Sequence, residues 1–211
     1  MPMTIHQLTP RIKLLEFEDL KDLLDVSLIV GLIETDRAVY LIDSGLGPDQ
    51  LEPVLKQITK PVHLILTHSH WDHIWGAQAI TGDIYGHRLF EDEMSERMLK
   101  KFKRYKRGVT ELVTPNILVD DTMQVEDLTL FYTPGHTRCS ISVWDPIDQV
   151  IFVGDTLFTV YRNEALTNEH LESLYKYRAL PFRYLVPGHI GPMDRRDLER
   201  IIKKLEKETD K

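Results

Sequence analysis

Four side chains able to bind a metal ion, His68, His70, Asp72 and His73, fall within six residues of the stretch Leu66-Thr67-His68-Ser69-His70-Trp71-Asp72-His73-Ile74-Trp75-Gly76. Neutral imidazoles and carboxylates are donors suited to Zn, Mn or Fe. The run Val62-His63-Leu64-Ile65-Leu66 before them is short, apolar and bounded by polar residues, the pattern of a buried strand. The donors therefore fall at the carboxyl end of a strand and in the turn entering the next helix, where open α/β sheets place their chemistry. So short a turn cannot wrap four donors round one centre. Two ions sharing the turn is the natural arrangement. A polar surface turn also collects histidines, but H-x-H-x-D-H after a strand is too specific a spacing for that reading.

Three more donors follow the same plan of apolar strand, then donor. Phe131-Tyr132-Thr133-Pro134-Gly135-His136-Thr137 presents His136, Phe152-Val153-Gly154-Asp155-Thr156 presents Asp155, and Leu185-Val186-Pro187-Gly188-His189 presents His189. Each alone reads as a turn. Taken with the first cluster, they resemble the metallo-β-lactamase superfamily, whose signature is this H-x-H-x-D-H, and the match runs from Asp43 to His189. The resemblance implies that His68, His70 and His136 hold a first metal ion and that Asp72, His73 and His189 hold a second. Asp155 would bridge the two. Asp43, in Leu41-Ile42-Asp43-Ser44-Gly45, reads by itself as a turn cap. The resemblance makes it a support of the ligand turn, orienting imidazoles by hydrogen bonding.

That ligand set points to hydrolysis. Two divalent ions, Zn first with Mn or Fe as alternatives, would share seven protein donors and leave positions open for water. Zn²⁺ lowers the pKa of bound water to about 7, and a hydroxide bridging ions about 3.5–4 Å apart is a nucleophile at neutral pH. A thiolate leaves unprotonated whereas an amine needs a proton donor, for which Asp72 and Tyr161 are the candidates. The expected substrate is accordingly a small thioester, ester or lactone. Antibiotic-hydrolysing members of the superfamily carry Cys or Ser where this chain has Asp155, which argues against β-lactams. Flavodiiron members carry an acid in place of His70. Thr-Pro-Gly-His-Thr and Gly-Asp-Thr-Leu-Phe are most similar to the glyoxalase II branch of thioesterases. That branch continues with a Gly-Cys-Gly-Arg-like loop, where Thr159-Val160-Tyr161-Arg162-Asn163 stands here. A chain of 211 residues also leaves no room for its helical glutathione-binding domain. The resemblance carries two rival readings: a persulfide dioxygenase with one iron on His68, His136 and Asp155, and a metal-binding protein without turnover.

The elements that must position these donors follow from periodicity. Ile12–Phe17, Leu28–Glu34 and Ala38–Ile42 read as strands, with Thr35-Asp36-Arg37 as a hairpin turn. Asp49–Thr59 and Asp72–Ile80 read as helices, Ile84–Gly86 as a strand, and Arg88–Arg107 as one long helical segment closed by Gly108. That segment carries six cations between Lys100 and Arg107, the mark of a solvated helix end. Asn116–Val119, Met123–Val125, Leu128–Tyr132, Ser140–Trp144, Val150–Val153 and Tyr184–Val186 read as further strands. Thr167–Leu180 and a last helix capped by Asp194 and running through Lys207 complete the chain. Strands then helices, twice over, suit two sheets packed face to face with helices outside, an αββα sandwich, which the resemblance also implies. The two halves would be about 1–110 and 111–211 of one domain.

Composition excludes other classes. A net charge of −7 argues against a nucleic-acid surface. The amino terminus has no uninterrupted apolar stretch, and no later run approaches the length that spans a membrane. A lone cysteine, Cys139, forms no internal disulfide and suits the cytoplasm, with a role as a small buried hydrophobe. The expected partner is a small-molecule substrate, with a homodimer conceivable through a pocket rim exposing Trp75 or Tyr105. His6 and His170 are assigned to surface segments, and His63 and His87 to strand ends without a chemical role.

Overall fold

Apolar residues point alternately to two sides along β3 (Leu28–Glu34) and β4 (Val39–Ile42), and both sides are buried. Leu28, Val30 and Leu32 join a core under an outer helical layer, while Ile29 and Ile33 join a core between two sheets. The computed structural model of the protein describes residues 3–161 and 167–209. Its first sheet has the order β1 (Met3–Gln7), β2 (Ile12–Phe17), β3, β4, β5 (Val62–Ile65), β6 (Ile84–His87) and β7 (Ile117–Val119). The pairs are antiparallel up to β4 and parallel beyond it. The second sheet has the order β12 (Tyr184–Pro187), β11 (Val150–Gly154), β10 (Ile141–Asp145), β9 (Leu128–Tyr132) and β8 (Thr122–Val125). Only its β11–β12 pair is parallel.

Helices α1 (Lys21–Leu24), α2 (Pro48–Leu55), α3 (Trp71–Ile74), α4 (Phe90–Glu93) and α5 (Glu96–Lys101) follow strands of the first sheet. On the outer side of the second sheet, α6 (Thr156–Tyr161), α7 (Asn168–Ala179) and α8 (Arg195–Thr209) bury Leu157, Leu174, Leu198 and Ile202 against Ile151 and Val153. Each such side chain withdrawn from water contributes roughly 1.5–3 kcal/mol before conformational entropy is charged against it. Three cores therefore separate four layers, α, β, β, α, as expected. Among the described residues, no helix is long and apolar enough to cross a membrane.

Several expected elements differ. The segment Arg88–Arg107 is not one helix: α4 ends at Met94 in extended backbone, Ser95 caps α5 by accepting from Met98 N–H, and Lys103–Tyr105 forms a 3₁₀ turn. Phe102 stacks on Trp71 at 4.4 Å and 14°, which fixes where that chain must turn inward. The expected helix Asp72–Ile80 splits into α3 and a 3₁₀ turn, Ala77–Ala79. A Cβ on the intervening Gly76 would lie 2.1 Å from the Ser44 carbonyl oxygen, so the chain passes that backbone too closely to continue the helix. The helix expected over Asp49–Thr59 stops at Leu55. Periodicity announced neither β1 nor α1. β7, read as part of the second half, joins the first sheet, so the sheets hold seven and five strands. Trp75 is buried rather than displayed on a rim, and Tyr105 is half-buried against Trp71. Of the cationic run, Lys100 pairs with Glu96 and Arg107 with Asp19, while Lys101, Lys103, Arg104 and Lys106 are exposed.

Candidate metal centre

The carboxyl ends of β4, β5, β9, β11 and β12 meet at one edge of the sandwich. Asp43 follows β4, His68 and His70 follow β5, and Asp72 and His73 lie in α3. His136 lies beyond β9, Asp155 follows β11 and His189 follows β12. Two backbone bonds stitch the sheets together beside them, Ile141 N–H to the Thr67 carbonyl at 2.8 Å and Ile29 N–H to the Gly188 carbonyl at 2.7 Å. Five of the seven predicted donors are buried, and His70 and His136 are half-buried.

All seven converge. One group joins His68, His70, His136 and Asp155, and a second joins Asp72, His73 and His189, with the donor atoms of each within 4.8 Å of one another. Asp155 faces both: its Oδ2 lies 3.8, 3.6 and 3.2 Å from Nε2 of His68, His136 and His189. Its Oδ1 lies 3.4 Å from Nε2 of His73. Asp72 Oδ2 is 3.3 Å from His189 Nε2, and His70 Nδ1 is 2.9 Å from His136 Nε2. His68 Nε2 is buried without a hydrogen-bond partner. Buried polar atoms are rarely left so, and a lone pair aimed at other donors in a dry site is what a metal ion satisfies. The donor set fits divalent cations.

The tautomers are set from behind. Asp43 Oδ1 accepts from Thr67 N–H at 2.8 Å, and Oδ2 accepts from the Thr67 hydroxyl at 2.8 Å. The Thr67 oxygen, having given its proton, accepts from His68 Nδ1 at 3.0 Å. Asp43 Oδ2 also accepts from His73 Nδ1 at 2.7 Å, and the Ser27 carbonyl accepts from His189 Nδ1 at 3.0 Å. Each ring thus carries its Nδ1 proton outward and turns Nε2 toward the centre. Asp43 reaches Thr67 and His73 together because its backbone is left-handed, φ 63°, a region Asp tolerates better than most residues. A third group, Asp43 with His68 and His73, is no separate site, since those Asp43 oxygens are already accepting.

Electrostatics divide the site. Burial drives His68 and His70 below the usual imidazole range and His136 down to about 3, so these rings are neutral. For His73 and His189 burial acts the same way, but the surrounding carboxylates together outweigh it, Asp155 first, with Asp43 and Asp72 beside His73 and Asp72 beside His189, and His189 rises to about 10. Burial likewise opposes ionisation of Asp72, yet His73 and His189 hold its carboxyl below the ordinary range. Protons on this second side are what a bound cation displaces.

Sequence reasoning missed the layer behind these donors. His170, expected at the surface, is buried, because the α7 face bearing residues 170, 173, 174 and 177 packs on the second sheet. The His170 ring presses on Gly135: a Cβ there would lie 2.7 Å from it. The Ser173 hydroxyl donates to the Pro134 carbonyl at 2.7 Å, and Tyr177 OH reaches Ser142 Oγ and so Thr133 Oγ1, each step 2.8 Å. Three residues of one helix therefore hold the turn that carries His136. The helical period of Asn168–Ala179 carried this signal; nothing in the sequence marked Ser27. Cys139 is buried as expected, and burial raises its thiol pKa. The side chain of Tyr161 lies outside the described residues.

Gly188 has room for no side chain. A Cβ would stand 2.6 Å from Asp155 Oδ1 and 2.7 Å from His73 Cε1. Gly188→Ala should part those two donors and lower zinc affinity at least about tenfold, as disturbed support of metal ligands does. Competition with a chromogenic chelator measures this, and an unaltered dissociation constant would show that the site absorbs the methyl group.

A family model described as the Metallo-beta-lactamase superfamily matches residues 30–189, from β3 to the last of the seven converging side chains. The chain belongs to that superfamily. Among curated members it is 28% identical over 185 residues to the Beta-lactamase-like protein 2 homolog of Caenorhabditis elegans, covering 81% of this chain and 58% of that one. It is 29% identical over 148 residues to the hydroxyacylglutathione hydrolase of Buchnera aphidicola subsp. Acyrthosiphon pisum, covering 67% and 51%. The probable metallo-hydrolase YybB of Bacillus subtilis is 29% identical over 170 residues, covering 74% of each chain. The chain thus spans little more than half the length of the first two. The crystal structure of a metallo beta lactamase from Erythrobacter litoralis superposes with a TM-score of 0.76 at 21% identity, covering 97% of this chain and 96% of that one. At that identity the superposition speaks for the αββα fold of this superfamily member.

Proposed function

We propose that the protein is a metal-dependent hydrolase that holds two divalent ions, zinc in the first instance, and cleaves a small thioester, ester or lactone. The observation that carries this reading is Asp155, one carboxylate facing imidazole nitrogens of both donor groups. His68, His70 and His136 would hold one ion and Asp72, His73 and His189 the other, with Asp155 between them. Ions bound there supply a water acidified to near neutral pH and a Lewis acid for a carbonyl oxygen.

The chain's own residues do the rest. Asp43, Thr67 and Ser27 hold His68, His73 and His189 in the tautomers that aim Nε2 inward. Burial of the donors keeps bulk water away and strengthens every charge interaction inside. Against burial, His73 and His189 hold the Asp72 carboxyl below its ordinary range, so it stands ionised and is no ready proton donor. A leaving group that departs as a thiolate needs no acid, so thioesters suit the site better than amides. The hydroxyacylglutathione hydrolases among its relatives support the same class. A buried free thiol suits the cytoplasm.

Metal content of the purified protein, with hydrolysis before and after chelation, tests the reading. About two equivalents of zinc or manganese, and activity lost on chelation and restored by added zinc, are expected. A single iron with persulfide-dependent oxygen uptake, or no hydrolysis after reconstitution, would overturn it.

A further inference from the structure

Beside the candidate centre, the inner faces of β2 and β3, the end of β1, Lys21 of α1, the turn Asp25-Val26-Ser27 and the segment His189–Pro192 line a cavity of about 520 Å³. That volume falls in the range of small-molecule sites. His189 is the shared boundary, lining the cavity while its Nε2 faces Asp72 and Asp155. Leu8, Leu14, Val26, Ile29 and Ile190 supply apolar walls. Leu14 and Ile29 alternate to this side of their strands, where they also belong to the core between the sheets.

The charges around it are unbalanced. Glu16 accepts from the Ser27 hydroxyl at 2.6 Å and bonds His6 Nε2 at 2.7 Å, with its side chain 32% exposed. Asp25 is a second carboxylate on the wall. Lys21 also lines the cavity but is already paired with Glu18. A carboxylate entering here would meet Asp25 and Glu16, the latter held by Ser27 and by His6 on the same wall, and a lysine that Glu18 already engages.

We propose that this cavity binds the acyl part of the substrate as an uncharged apolar chain and disfavours acyl groups that end in a carboxylate. The inference rests on the hydrolase reading for the reaction but not for the binding. Each methylene withdrawn from water into such walls is worth roughly a fourfold gain in affinity. The size and apolar walls therefore favour acyl groups well beyond acetyl.

The test has two arms. Zinc-loaded protein is assayed with acetyl, butanoyl, hexanoyl and octanoyl thioesters of N-acetylcysteamine, an uncharged thiol, and with the ω-carboxy analogue of the octanoyl compound. kcat/KM should rise at least about a hundredfold from acetyl to octanoyl, and the ω-carboxy analogue should fall at least about tenfold below octanoyl. In Glu16→Lys that last gap should narrow. Independently, octanamide added to metal-free protein should shift the methyl NMR signals of Val26, Ile29 and Ile190, while acetamide leaves them in place. A flat chain-length series, or an ω-carboxy substrate as good as octanoyl, overturns the inference while leaving the hydrolase standing. Octanamide shifts without hydrolysis of any thioester would instead sink the hydrolase reading and keep the cavity as a binding site. Unmoved methyl signals overturn the cavity site whatever the kinetics show.

Discussion

Asp155→Ala should lower kcat/KM for thioester hydrolysis by three or more powers of ten, while the metal-free variant stays folded. The size of the loss follows from what the carboxylate touches. Its two oxygens lie within 3.8 Å of Nε2 of His68, His73, His136 and His189, so its removal disturbs both donor groups at once. Charge stabilisation by such a centre is worth several kcal/mol, and every 1.36 kcal/mol is tenfold in rate. The fold tolerates the change because the groups left behind are imidazoles. Asp155 is the largest of the carboxylates that raise the pKa of His73 and His189 against burial, so without it both rings give up their protons more readily, and Asp43 and Asp72 remain beside whatever charge is left. Kinetics on zinc-reconstituted protein, with circular dichroism of the metal-free form, checks both halves. Hydrolysis within tenfold of wild type would remove Asp155 from the centre. His68→Ala should act in the same direction, since its orphaned Nε2 belongs to the first group alone.

In Asp43→Asn, metal affinity or activity should fall roughly 10–100-fold, the usual cost of disturbing the partner behind a metal ligand. Asparagine is the informative substitution. It tolerates the left-handed backbone at φ 63°, so it isolates the lost carboxylate from the backbone strain that alanine would add. It can still accept from Thr67 N–H, but a single amide oxygen cannot replace both carboxylate oxygens toward Thr67 N–H, the Thr67 hydroxyl and His73 Nδ1. His73 then loses the acceptor that fixes its tautomer, and His68 loses the polarised hydroxyl behind it. Zinc competition and the kcat against KM split distinguish this from a stability defect: the loss should fall on metal affinity and kcat, with KM little moved. Full affinity and unchanged kinetics would return Asp43 to the role of a turn cap.

Much of this is legible in the sequence. Short apolar runs ending in Asp43, His68, His136, Asp155 and His189 located the donors, because a buried strand shows itself within its own few residues and its carboxyl end is where the chain turns. The layered αββα arrangement followed from the same runs. Local patterns could not say where Arg88–Arg107 breaks, because Phe102 stacking on Trp71 is a contact between segments distant in sequence. Composition also hid His170, whose helix is polar overall yet buries the face bearing residues 170, 173, 174 and 177, a face that only the helical period of the segment marks. Ser27 and His189 stand 162 residues apart, and only packing of the two sheets brings the carbonyl of one to the ring of the other. By itself the sequence determined which residues could bind metal and which strands carry them, since both depend on neighbours along the chain. The tertiary structure alone decided the tautomers, the α7 support beneath His136 and the apolar cavity at His189, because each depends on distances between segments that only the folded core sets.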